Sequence, residues 1–173
     1  MKNIILIINT VLLISVLAYL GFTSKKEKQA YVNVSEVYND FEMKKELENK
    51  LITVQNRRKK VLDSLEVELQ LYANNFSPDK EISLEEKKEF DFLERRFLSN
   101  RETFLKENER VTLEFKNQIF TQMNKYIEEY GAENKYDYLF GTTGQGNIMY
   151  AQTKNNVTKE VINYINEKYN GNN

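Results

Sequence analysis

The sequence predicts an α+β fold: a long antiparallel helical hairpin, a coiled-coil arm, standing on a small β body, preceded by an N-terminal transmembrane helix or signal. Three observations carry this expectation. Between Gly21 and Gly131 the chain has no glycine and a single proline, Pro78, and these two residue types break regular structure most sharply. Within that span, apolar residues recur at spacings of three, four and seven, the period of a coiled-coil seam. Strand-like composition is confined to the two ends, at Ala30-Tyr31-Val32-Asn33-Val34 and after Tyr136.

The elements follow in order. Ile4 to Leu20 is an almost continuous apolar run, extended by Gly21 and Phe22. As a helix it spans about 26–28 Å at roughly 1.5 Å per residue, close to the thickness of a bilayer core. Ala18-Tyr19-Leu20 makes a poor cleavage site. Residues 1–23 therefore read as a signal anchor holding a membrane through residues 4–22, with a cleaved signal peptide as the alternative. Lys25, Lys26 and Lys28 follow the run while only Lys2 precedes it, so charge alone leans towards a body on the cytoplasmic side. Residues 24–29 form a charged linker. Residues 30–34 read as a strand. Ser35 is placed to cap the next helix, with Glu36 in its first turn, and that helix runs to about Ala73. Its seam includes Val37, Phe41, Leu47, Leu51, Val54, Val61, Leu65, Leu69 and Tyr72, and Arg58 interrupts it.

The tip is expected at 74–82, around Asn74-Asn75-Phe76-Ser77-Pro78. The second long helix starts at Ser77-Pro78 or at the capping box Ser83-Leu84-Glu85-Glu86. Gly131 is expected to stop it. Its seam includes Phe90, Leu93, Phe97, Phe104, Val111, Phe115, Ile119, Met123 and Tyr126, diluted by Arg101 and Asn108. Such a seam packs less tightly, so the arm is expected to bend and breathe. Residues 136–140 and 147–151 then read as a β-hairpin around Gly141–Gly146. Thr158 is placed to cap a last helix carrying Val161, Ile162 and Ile165, with Val157 and Ile162 as a hydrophobic staple. The body thus joins residues 30–40 and 121–173, and the arm proper is 41–120. A core of that size is marginal alone, and its open sheet edges favour pairing between subunits.

Composition excludes much. There is no cysteine and no histidine, which removes disulfides, zinc thiolate sites, thiol nucleophiles and the commonest acid–base residue. The net charge of −1 gives no polarity towards nucleic acid. Gly141–Gly146 lacks the Gly-Lys-Ser/Thr of a phosphate loop and reads as a turn. The paired carboxylates Glu85-Glu86 and Glu128-Glu129 diverge on a helix. No enzyme, metal or cofactor is expected. Two groups remain as candidates for binding. Arg57, Arg58, Lys59 and Lys60 form a basic cluster, which reads either as a solvated stretch of arm or as a contact for anionic headgroups or acidic partner segments. Phe90, Phe97 and Phe104 recur every seven residues as seam, and Leu98 and Leu105 beside them widen the apolar face beyond what two helices hide.

The two ends together resemble a known family. Ala30-Tyr31-Val32-Asn33-Val34-Ser35-Glu36-Val37-Tyr38 resembles the opening of the Skp/OmpH periplasmic chaperones. Tyr136-Asp137-Tyr138-Leu139-Phe140, Ile148-Met149-Tyr150-Ala151 and Val157-Thr158-Lys159-Glu160-Val161-Ile162 resemble its closing pattern. The resemblance covers residues 30–170 and implies a β body completed by trimerisation. Tyr31, Val32, Val34, Tyr138, Phe140, Ile148 and Tyr150 are its candidate trimer residues. It implies an ATP-independent holdase in the bacterial periplasm, with unfolded outer-membrane proteins held between the arms of a homotrimer. Phe90, Phe97, Leu98, Phe104 and Leu105 are then the candidate client contacts, and Arg57–Lys60 the basic contact. Known members are basic, whereas this chain is near neutral. The alternative is a membrane-tethered coiled-coil scaffold for a fixed folded partner.

Overall fold

A computed structural model describes residues 2–23, 27–75, 82–144 and 148–171. Its elements are α1 (Lys2–Thr23), β1 (Gln29–Asn33), α2 (Val34–Asp40), α3 (Glu42–Ala73), α4 (Leu84–Glu133), β2 (Tyr138–Thr142), a 3₁₀ turn (Thr153–Asn155) and α5 (Thr158–Tyr169). The long helices α3 and α4 pack together as the arm. The expected tip residues 76–81, Ser77 and Pro78 among them, lie outside the described residues. Residues 2–23 are helical, yet among the described residues no helix is long and apolar enough to cross a membrane. The side chains of residues 4–8, 18 and 20–22 in the expected span lie outside the described residues.

The core sits at the base. Ala30 and Val32 from β1, Val37 from α2, Phe41, and Val161 and Ile165 from α5 close on Ile119 and Met123 of α4. Burying such side chains fully contributes about 1.5–3 kcal/mol each. Leu47 and Tyr130 belong to the same cluster, so both helices of the arm are rooted in the body.

Several local expectations change. The first cap is Asn33, not Ser35: the Asn33 Oδ1 accepts from the backbone N–H of Ser35 and Glu36. The first helix breaks at Phe41, which has extended backbone (φ −70°, ψ 123°). Its ring is fully buried and meets Tyr126 and Tyr169 edge-on at 6.3 and 5.6 Å. Asn166 of α5 holds both sides of the break. Its Oδ1 accepts from the Glu42 N–H at 2.9 Å, and its Nδ2 donates to the Asp40 carbonyl at 3.1 Å. The break is therefore made by tertiary packing, which no local breaker announces.

Helix α4 begins at the capping box, with Ser83 and Glu86 bonded reciprocally. It does not stop at Gly131 but runs to Glu133, and Lys135 supplies the left-handed residue beyond it (φ 56°). The expected β-hairpin is replaced by a parallel pair, with Ala30 opposite Leu139 and Val32 opposite Gly141. Parallel strands need a long crossover, and here the crossover is the whole arm. Residues 148–151 form no strand, and 145–147 lie outside the described residues. Tyr31 instead bridges Asn156 on the far side of β1. Thr158 is not the last cap: Asn156 accepts from both the N–H and the hydroxyl of Thr158. Thr158 Oγ1 in turn accepts from the Asn33 N–H at 2.9 Å, which ties α5 to the start of α2. Val157 is buried and Ile162 packs on the same cluster.

Candidate functional site: the open base and the arm groove

Strand β1 is covered on both sides, by β2 and by the Asn156 bridge. Among the described residues, strand β2 has β1 on one side only. Tyr138 and Phe140 alternate along β2, stack at 5.9 Å between centroids and remain about half exposed (51% and 43%). Phe140 joins Tyr31, Ile148 and Tyr150 around one open groove of about 430 Å³. Tyr150 is 83% exposed, and Met149, missed by sequence reasoning, is 88% exposed. The candidate set for the base is thus largely gathered on one surface. Val32 stands apart from it, because its side chain is 2% exposed and belongs to the chain's own core. Val34 is half-buried and faces inward, packing against that core beside Gly141.

On the arm, Phe90, Phe97 and Phe104 are half-buried, as seam residues should be, while Leu98 and Leu105 are exposed. The structure brings part of the apolar set and part of the basic set together. Phe97, Phe104, Leu105, Arg58, Lys59 and Arg101 line one groove of about 450 Å³ at mid-arm. Phe90 lies outside it, towards the tip. The basic cluster does not act as one patch. Arg57 lines a separate groove with Phe115. Arg58 turns into the seam, where Nη1 donates to Asn108 Oδ1 at 2.5 Å and the guanidinium lies 5.7 Å from the Phe104 ring centre. Lys59 pairs with Asp63 at 2.8 Å, a hydrogen bond that raises the lysine pKa. Lys60 is exposed. Four consecutive helical residues point to all sides, so this scatter follows from geometry.

Exposed apolar side chains on the arm extend beyond the candidates, with Ile52, Val67, Leu71, Phe92 and Leu113 each more than half exposed. Most sit beside seam positions, the same signal that marked Leu98 and Leu105. The charged side chains between them are stitched along each helix by pairs such as Lys50–Glu46, Lys106–Glu102 and Arg110–Glu114. Hydrogen bonds from Lys50, Lys106 and Arg110 hold Glu46, Glu102 and Glu107 below the usual carboxylate range. Exposed pairs of this kind contribute little stability. Their effect is to leave a surface of apolar islands among neutralised charges.

Residues 28–165 match the family model described as outer membrane protein (OmpH-like). No curated protein matches the chain.

Proposed function

The chain belongs to the OmpH-like (Skp) family, whose members are non-enzymatic periplasmic chaperones for outer-membrane proteins, and on that premise we propose that it is an ATP-independent holdase. Three copies join at the base through Tyr31, Tyr138, Phe140, Ile148 and Tyr150. Their arms enclose an unfolded outer-membrane protein, which touches Phe97, Leu98, Phe104 and Leu105. Residues 1–23 direct export. N-terminal sequencing of membrane and soluble fractions then reads whether they stay as an inner-membrane anchor or are removed.

The observation that carries this reading is the arm surface. Leu98 and Leu105 are 49% and 62% exposed beside a groove that also presents cations. Unfolded chains offer apolar segments without fixed shape, and scattered apolar contacts among charges suit them better than one complementary pocket. A scaffold for one folded partner would favour a continuous buried seam, and the mid-arm does not have one. The test uses the full chain in lipid nanodiscs with an unfolded outer-membrane β-barrel. Suppression of barrel aggregation without ATP is expected, and Leu98→Ser/Leu105→Ser should weaken it severalfold. A chain that never suppresses aggregation overturns the reading.

A further inference from the structure

The arm is packed unevenly. On α3 the buried seam residues are Leu47 and Leu65, and on α4 they are Leu93, Ile119, Met123 and Tyr130. Between them, none of residues 48–64 and none of 94–118 is buried. The arm is closed near the tip by Leu65 and Leu93 and at the root by Leu47 and Ile119, with a loosely packed stretch between. At the centre of that stretch the seam is polar from both sides, at the hydrogen bond from Arg58 to Asn108. Both residues line the same groove as Phe97 and Phe104.

The two kinds of layer respond differently to separation. When an apolar layer opens, its surface meets water and the full burial free energy is lost. When Arg58 and Asn108 part, each recovers hydrogen bonds to water, so the net loss is small. Segments with few buried apolar contacts are the ones that open locally. The polar layer therefore separates before the apolar layers on either side. Parting there frees the Phe104 ring, which the Arg58 guanidinium now overlies, and widens access to Phe97.

We infer that Arg58 and Asn108 form a latch at mid-arm: the two helices part there while staying closed at both ends, and the opening presents Phe97 and Phe104 to an extended apolar segment. The use of the opened rings rests on the holdase reading; the opening itself does not.

Two substitutions move the latch in opposite directions. Arg58→Leu with Asn108→Leu makes the layer apolar and closes it. Asn108→Ala leaves Arg58 without its acceptor and loosens it. Amide hydrogen exchange on the full chain in nanodiscs reads the opening directly. In the native chain, residues 55–62 and 101–111 should exchange at least about tenfold faster than the turns around Leu47, Leu65, Leu93 and Ile119. The double substitution should remove that contrast and reduce suppression of barrel aggregation, and Asn108→Ala should sharpen the contrast. Uniform exchange along the native arm overturns the latch, whatever the aggregation assay shows. Slowed exchange in the double variant with undiminished suppression also overturns it, because the rings are then not the opened site. Fast mid-arm exchange in a chain that never suppresses aggregation supports the latch and overturns the holdase reading instead.

Discussion

At the scale of single residues, one close approach in the body is at Gly141. A Cβ placed there would lie 2.8 Å from Val34 Cγ2. Val34 is β-branched, stiff at χ1, and sits in the first turn of α2. Gly141→Ala is therefore expected to cost about 1–3 kcal/mol through overpacking, read as a lower urea midpoint with unchanged slope. An unchanged midpoint would mean that Val34 turns aside freely. Tyr169 and Tyr130 give a second prediction. The hydrogen bond from Tyr169 to the Glu46 carboxylate, aided by burial, pushes its phenol up to about 12. Burial first, then neighbours including Tyr136, pushes Tyr130 up to about 12 as well. A phenol whose pKa is raised on folding adds stability that is fully present below its unfolded value of about 10. That stability is lost as pH rises through about 12. Alkaline unfolding should therefore track phenolate absorbance. Tyr169→Phe keeps the ring against Phe41, 5.6 Å between centroids, and should lose one of the late-titrating phenols while lowering the melting temperature at neutral pH. A full complement of late phenols in that variant would show that Tyr169 is not one of them.

At the scale of elements, local chemistry decides how much the sequence reveals. The start of α4 was legible because Ser83 and Glu86 satisfy each other within four residues. Ser83→Ala should cost about 0.5–2 kcal/mol and fray the first turn. That loss is visible as faster amide exchange at 84–87, and unchanged exchange would count against the box. The other two helix starts differ from expectation because asparagines two residues ahead, Asn33 and Asn156, accept from the backbone of the serine and threonine that resemble caps, and α5 itself is capped at Val157 without a side-chain bond. The seam was legible as a period, and so was its dilution. That Arg58 and Asn108 meet each other was not, since it depends on the pairing of residues 50 apart in sequence. The parallel β pair was hidden for the same reason: Gln29 meets Tyr138 only through the arm between them. The segment at 148–151 has strand composition, yet within one chain it finds no strand to join, and Met149 and Tyr150 stay exposed. Helix α5 was legible in its apolar residues. Its role as the clamp on the α2–α3 break was not, because Asn166 reads locally as an ordinary polar surface residue.

At the scale of the whole molecule, the body is small and several large side chains around its sheet stay exposed. Tyr138, Phe140, Met149 and Tyr150 are the residues a single chain cannot cover, whereas Val32 beside them is fully used. This separates assembly from folding. Tyr138→Lys with Tyr150→Lys places charge on the exposed surface and leaves the core untouched. It should split the proposed trimer into single chains, read as a threefold fall in mass by sedimentation, with helical circular dichroism retained. Val32→Ala should do the opposite kind of damage. It opens a cavity in the core, costs about 2 kcal/mol, and lowers the melting temperature before it changes the mass of the folded species. If the double lysine variant keeps the native mass, the copies meet elsewhere and the exposed aromatics serve another contact. If it falls to single chains and still suppresses barrel aggregation as well as the native protein, an enclosed space between arms is not needed, and each arm holds its client alone. Loss of suppression together with loss of mass, at unchanged helix content, is the outcome that ties the open base to the action of the arms.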